Sequence, residues 1–292
     1  MKHLARSRAA STFLTLLTLA VTVGFAMPLL AMLIASLQPT HRLGKPLFDH
    51  DRPILAAQSW IDLARDAAHN YQGVLSSPIA DFPLYLKNSL FVSFLASSAM
   101  TLSSAAVAFA LARLQWKGRD AVFALVLASL LIPFPVVMAP LYLVFRNLGW
   151  IGTLLPLWAP ACFGGAFSIF LLRQFFLSIP RELDEAARLD GCSEFSLFAR
   201  VILPISAPAL AVTAILQFVA SWNDFLSPLL FVNHQDLYTV ALGLHMFQSQ
   251  HGGAEWNSTM AATLIAIAPV LFLFALAHRN VQDGIATQGL GG

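Results

Sequence analysis

The chain has 292 residues, of which 58% are hydrophobic and 11% charged, with a net charge of +2. A soluble domain carries about 45–50% apolar and about 25% charged residues, so one core at this length would leave excess apolar surface in water. The composition excludes disorder, two cysteines exclude a disulfide scaffold, and so small a charge gives no nucleic-acid binder. What remains is an integral membrane protein.

A membrane-spanning helix needs about 20 mostly apolar residues. Six stretches qualify: 12–37, 89–112, 121–145, 151–172, 205–232 and 258–277. They are too continuously apolar for barrel strands, which alternate. Backbone groups in lipid must bond within the segment. The expected fold is therefore all-α and polytopic, with six transmembrane helices in one transmembrane domain over about residues 70–280. The basic start, Lys2, Arg6 and Arg8, followed by an apolar run resembles a signal peptide. The uncharged run exceeds the roughly 7–15 residues of a secretory h-region, so it reads as a retained first helix.

Orientation follows from lysine and arginine. Placing residues 1–11 in the cytoplasm puts eleven of the seventeen Lys and Arg on that side. Five of the others lie in the long segment 38–88 with five aspartates, and the loop 233–257 has none. The expectation is N-in and C-in, with 38–88 and 233–257 periplasmic and 278–292 a cytoplasmic tail. Trp116, Trp150 and Trp256 fall at helix ends as interfacial anchors. Cys162 falls in the fourth span and Cys192 in a cytoplasmic loop, so they are read as unpaired and inert.

Within 38–88, Trp60, Leu63, Ala64 and Ala67 recur at helical spacing and predict a short amphipathic helix. It reads either as a docking platform or as a plain cap over helix ends. In the second span Ser93, Ser97, Thr101 and Ala105 recur every four residues, the spacing of close helix packing. Prolines 133, 135, 140, 156 and 160 predict kinks in the third and fourth spans.

The loop 178–204 carries the most information. Ser178 is a candidate cap and Pro180 a first-turn residue; Glu182, Asp184 and Glu185 suit a positive helix end. Ala186, Ala187 and Leu189 propagate a helix of about eleven residues, Gly191 stops it, and Ser193 starts a second one leading to Leu203-Pro204. Such a short helix is marginal alone in water and needs a protein surface.

No phosphate-binding G-x-x-x-x-G-K-[ST] occurs, no His, Cys or Glu cluster has zinc spacing, and no serine–histidine arrangement suggests a hydrolase. The expectation is a non-enzymatic chain that binds no metal or cofactor.

Glu185-Ala186-Ala187-x-x-x-Gly191, then nine residues, then Val201-x-Leu203-Pro204 resembles the EAA loop of ATP-binding-cassette (ABC) importer permeases, with Val201 where isoleucine is usual. Asn88-Ser89-Leu90, Ser221-Trp222-Asn223-Asp224 and Val281-Gln282-Asp283-Gly284 are similar to the carbohydrate branch. More narrowly, they resemble its six-helix subunits, typified by the small permease of the maltose importer. The likeness is weakest over residues 40–68.

The resemblance implies a type I importer permease fold in the inner membrane. It implies a second, different permease subunit, two ATPase subunits that hold ATP and Mg, and a periplasmic binding protein that delivers substrate. Glu185, Ala186, Ala187, Asp190, Gly191, Leu203 and Pro204 would form the ATPase-coupling element. Val281, Gln282 and Gly284 in the tail would touch the ATPases, although 279–292 shows no helical period and the bland alternative is a disordered end. The loop 233–257, with Gly252-Gly253, would project toward the binding protein. Trp222, Asn223 and Asp224 combine an aromatic face, an amide and the lone acid inside a span, which suits a sugar path; an interhelical hydrogen bond is the alternative. Two other readings stand beside a sugar importer. One is the same architecture carrying glycerol phosphate or a polyol. The other is an ion-coupled secondary transporter, which would want paired intramembrane ionisable groups.

Overall fold

A computed structural model describes residues 2–37, 60–77, 80–250 and 256–288, with side chains over 11–37, 64–77, 80–249 and 256–276. Every regular element among the described residues is helical. In chain order they are α1 (Lys2–Ser36), α2 (Trp60–Leu75), α3 (Phe82–Ala112), α4 (Arg119–Ser129), α5 (Phe134–Asn147), α6 (Leu155–Trp158) and α7 (Ala166–Ser178). There follow α8 (Glu182–Leu189), α9 (Glu194–Leu197), α10 (Leu203–Ile205), α11 (Ala207–Trp222), α12 (Leu226–Phe231), α13 (Val240–Gln250) and α14 (Trp256–Gln288). Short 3₁₀ turns cover Ala159–Phe163 and Gln235–Leu237, and a π turn covers Phe198–Ile202.

Among the described residues, four segments are long and apolar enough to cross a membrane: Ser11–Ser36, Phe82–Ala112, Leu155–Ser178 and Trp256–Leu276. The count reaches six when two bent pairs are each taken as one span. The expected third span is α4 and α5, bent by 100°. Pro133 causes the break: its backbone is extended (φ −70°, ψ 140°), and a proline pushes the residue before it out of helical geometry. The second bent pair joins Glu194–Ile205, of which only Ile205 falls in the expected fifth span, to α11 across a 79° bend at Ser206. There Pro208 has no N–H to return to the Pro204 carbonyl. The expected range 205–232 is interrupted again after Trp222.

The chain forms two units, Met1–Phe82 with Leu244–Ile267, and Pro83–Gly243 with Ala268–Gly292. In the first, the amphipathic helix expected around Trp60 is α2. Its buried Asn70 donates to the Ser36 carbonyl at 2.8 Å, and Tyr71 meets the Ser36 hydroxyl at 3.2 Å, so α2 holds the end of α1. Phe82 and Phe247 pack edge to face at 5.7 Å.

The second unit is organised by one face of α3. Ser93, Ser97, Thr101, Ala105, Ala108 and Ala112 are all buried, as the four-residue spacing anticipates. Small side chains let neighbouring backbones approach. The lower half of this face packs on Leu172 and Phe176 of α7 and on Ala187, Leu197, Ile202 and Ala209. Higher up, Ser103 donates to the Ala161 carbonyl at 3.0 Å, and Ser104 accepts the Gly165 N–H at 3.0 Å. These two hydroxyls satisfy the backbone where the 3₁₀ turn gives way to α7. Elsewhere Phe145 stacks on Trp150 and meets Phe231 edge on, joining α5 to α12.

At the first turns of α3, Tyr85 fills the space left by Gly243: a Cβ there would lie 2.2 Å from the ring. Tyr85 is 1% exposed and cannot swing away. Gly243→Ala is therefore expected to destabilise the protein by about 1–3 kcal/mol, read as a lower unfolding temperature in detergent, whereas Gly24→Ala, inside α1 with nothing within 4 Å, should not lower it.

Candidate functional site

The segment from Ser178 to Ser206 is a hairpin of short helices laid against the ends of α3 and α7. Its start differs from the sequence reading. Ser178 donates to the Phe175 carbonyl at 2.7 Å and so closes α7 rather than capping α8. Pro180 lies outside the helix, and α8 has eight residues, not about eleven. Its length is about 12 Å. Glu182, Asp184 and Glu185 occupy its first turn as expected, where the helix dipole favours carboxylates.

The end of α8 is a Schellman turn. The Cys192 N–H donates to the Ala187 carbonyl and the Gly191 N–H to that of Arg188, both at 3.0 Å. Gly191 sits at φ +80° with open space around it, so backbone handedness alone demands glycine. Ser193 caps α9, accepting the Ser196 N–H at 3.2 Å. Arg188 bridges the turn to Glu194 through two bonds of 2.8 and 3.2 Å. That carboxylate raises the Arg188 pKa above its ordinary value. Pro204 cannot donate to the Arg200 carbonyl, and a π turn over Phe198–Ile202 precedes it.

α8 has two faces. Asp184 and Ala187 point inward and are 4% and 8% exposed. Glu185 and Ala186 point outward, together with Leu183 at 41% and Leu189 at 89% exposure. Phe195 on α9 is 78% exposed. The two alanines of the EAA pattern thus do different things: Ala187 joins the core, and Ala186 leaves the outer surface flat. Asp190 is exposed, Leu203 half-buried against the core and Pro204 exposed.

The inner face is fastened by a residue that the sequence reading counted only as a charge. Arg113, one residue past α3, reaches the Asp184 carboxylate at 3.1 Å and the carbonyls of Phe176 and Ile179 at 2.5 and 2.7 Å. The two side chains are 2% and 5% exposed. Burial lowers the Arg113 pKa, with Asp184 opposing the shift; an arginine this basic stays charged. The signal was a lone arginine closing 31 residues of helix that contain just one other charge, Lys87. Around it lies a cleft of about 550 Å³ lined by Arg113, Trp116, Arg181, Glu185, Arg188 and Glu194.

The other candidate residues do not gather into one site. Trp222 is 3% exposed and stacks on Phe218, so its ring is not an open platform. Asn223 donates to the Val219 carbonyl at 2.9 Å. Asp224 stands in the break between α11 and α12, not inside a helical span, and accepts the Ser227 N–H at 3.1 Å. In the tail, α14 runs on to Gln288, where no helical period was expected; the side chains of Val281, Gln282 and Gly284 lie outside the described ones. Asn88 and Ser89 gain a role that the sequence did not disclose. Asn88 donates to the carbonyls of Asp236 and Tyr238 at 2.8 and 3.1 Å, and Ser89 accepts the Val240 N–H at 2.7 Å. They tie the start of the 233–257 loop to α3. Gly252-Gly253 lies outside the described residues.

A family profile, "Binding-protein-dependent transport system inner membrane component", matches residues 103–287. The chain belongs to this family. Among curated permeases it is 33% identical to the trehalose/maltose permease protein MalG of Thermococcus litoralis over 91% of both chains. It is 32% identical to the arabinooligosaccharide permease protein AraQ of Halalkalibacterium halodurans over 93% of this chain and 96% of the relative. A solved bacterial ABC transporter that imports alginate has a chain that superposes with a TM-score of 0.77 at 19% identity, over 93% of this chain and 96% of the other. This likeness bears on fold alone and agrees with a type I permease. The chain is thus a multi-pass membrane permease subunit of an ABC importer, in the branch that includes these sugar permeases; such subunits are transporter components, not enzymes.

The buried pair makes a prediction for the permease's stability. Arg113→Met strands the Asp184 carboxylate and should cost roughly 3–5 kcal/mol, while Arg113→Met with Asp184→Leu should recover most of it. Unfolding temperatures of the two variants in detergent decide this.

Proposed function

We propose that this permease imports a carbohydrate, handed over by a periplasmic binding protein, through the bacterial-type inner membrane. It pairs with a second permease subunit. The α8–α9 hairpin is the element by which two ATPase subunits, holding ATP and Mg, move the pathway. The chain lies N-in and C-in, which puts the hairpin on the cytoplasmic side. The observation that carries this reading is the outer face of α8. Leu189, Leu183 and Phe195 are apolar yet exposed on a hairpin whose inner face is fixed by the core. Large apolar side chains left exposed on so short a hairpin suit a protein partner better than water. The carbohydrate cargo is supported by the named substrates of the relatives, trehalose or maltose and arabinooligosaccharides. A related solved transporter was captured with an alginate pentasaccharide-bound periplasmic protein, which supports the same mode of delivery.

Rigid elements transmit displacement, and the hairpin is made rigid by its glycine turn, the Ser193 cap and the Arg188–Glu194 bridge. Asp190, Leu203 and Pro204 complete it, and Val281, Gln282 and Gly284 on the tail add further ATPase contacts. Asn223 and Asp224, at the break between α11 and α12, would offer an amide and a carboxylate to sugar hydroxyls; Trp222 contributes by holding that corner.

Leu189→Asp and Gly191→Val should leave membrane insertion intact and lower recovery of the companion ATPases on a tagged chain by at least about tenfold, equal to about 1.4 kcal/mol. Full recovery with normal uptake would refute the coupling role. Separately, Asp224→Ala should change uptake kinetics without loss of assembly, and identical kinetics would remove Asp224 from the pathway.

A further inference from the structure

Arg113 does more than balance a buried charge. Its guanidinium joins three elements that are separate in sequence. Its backbone N–H closes the last turn of α3 on Phe109 at 2.9 Å. One terminal nitrogen bonds Asp184 on the inner face of α8. The other bonds the carbonyls of Phe176 and Ile179, at and just beyond the last turn of α7, where the helix dipole is negative. A planar fork can hold carboxylate and carbonyls in fixed relative directions; an ammonium cannot do this equally well. Around the fork, Ala108, Phe109 and Ala112 of α3 pack with Phe176, Ile179 and Ala187, and the Phe109 and Phe198 rings meet at 5.1 Å. Pairing of this kind gains little net stability over apolar packing, yet is costly to pull apart. That asymmetry suits a joint that must not slip.

We infer that the Arg113–Asp184 clasp makes α8 and the ends of α3 and α7 a single moving body, so that Arg113 and Asp184 are positioning residues through which displacement of the coupling hairpin reaches the transmembrane helices. This rests on the coupling role proposed for α8 and names the residues that carry the motion inward from it.

The test uses the complete importer complex, isolated through a tag on this chain, with Cys162 and Cys192 replaced by alanine. Spin labels go on cysteines placed at Gln115, just after α3, and at Glu182, the first residue of α8, both exposed. Their separation is measured without nucleotide and after trapping with Mg-ATP and vanadate. With Arg113 and Asp184 intact, one narrow distance should persist in both states. With Arg113→Lys or Asp184→Asn, the distance should match that value before trapping and shift or broaden by several ångströms after it, because the motor then moves α8 without α3. A residue that merely stabilises the fold would disturb both states alike. A trapping-dependent change with the clasp intact, an unchanged distance in both variants, or the same change in both states of the variants would each overturn the inference. Should Arg113→Lys fail to assemble, Asp184→Asn decides alone by the same criteria, since it keeps the size of the side chain. A cysteine at Leu189, tested for cross-linking to the ATPase in the otherwise intact complex, separates the two ideas. No cross-link would remove the coupling reading and the clasp with it, whereas a cross-link with unmoved variants would remove the clasp alone.

Discussion

Helices can crowd around α3 because one of its faces is built mostly of serine, threonine and alanine, with Phe109 the large exception. In lipid, apolar tails compete with side chains for contact, so helix association leans on close backbone approach and on hydrogen bonds that hydrocarbon cannot supply. α3 provides both. Alanines near its far end admit Leu172 and Phe176 of α7. Serines at its middle take up backbone groups freed where the Ala159–Phe163 turn meets α7. Asn88 and Ser89 at its start anchor the loop after α12. The same helix therefore fixes the hairpin at one end and a long loop at the other.

The hairpin illustrates how a segment too short to fold alone acquires a definite shape. Eight residues of helix would be marginal in water. Here the inner stripe of α8 is held by packing on Ala187 and by a charge pair at Asp184, while a capped turn and a surface bridge set the angle to α9. The outer stripe is left free of structural duties. Division of labour between i and i+3 positions on one side and i+1 and i+2 on the other follows from helical periodicity alone.

Much of this was legible in the residues. Long uncharged runs announced membrane helices, and Gly191 and Ser193 announced the turn and the second helix. The spaced pattern from Glu185 to Pro204 pointed to the family that the comparisons then established. The failures share a physical cause. Prolines announced the kink that the structure makes as a 100° break before Phe134, but hydropathy sums side chains and cannot register backbone defects, so the interruption after Trp222 was folded into an unbroken span. Asp224 was read as part of a continuous helix for the same reason, being surrounded by apolar residues yet seated in a helix break. Arg113 was counted as a loop charge for orientation, because nothing local reveals that its partner lies 71 residues away. Helix starts were misplaced where two signals compete: Ser178 can serve the preceding helix end as readily as the following start, and only tertiary context chooses.

Gly191 has one further consequence. The position that an L side chain's β-carbon would take is open, so no neighbour forbids a methyl group there; the objection is stereochemical, since an L-residue at this dihedral crowds its own carbonyl. A D-alanine introduced by chemical ligation would favour this positive dihedral and would restrict the unfolded chain more than glycine does. The joint between the two short helices is thus selective for mirror image rather than for bulk.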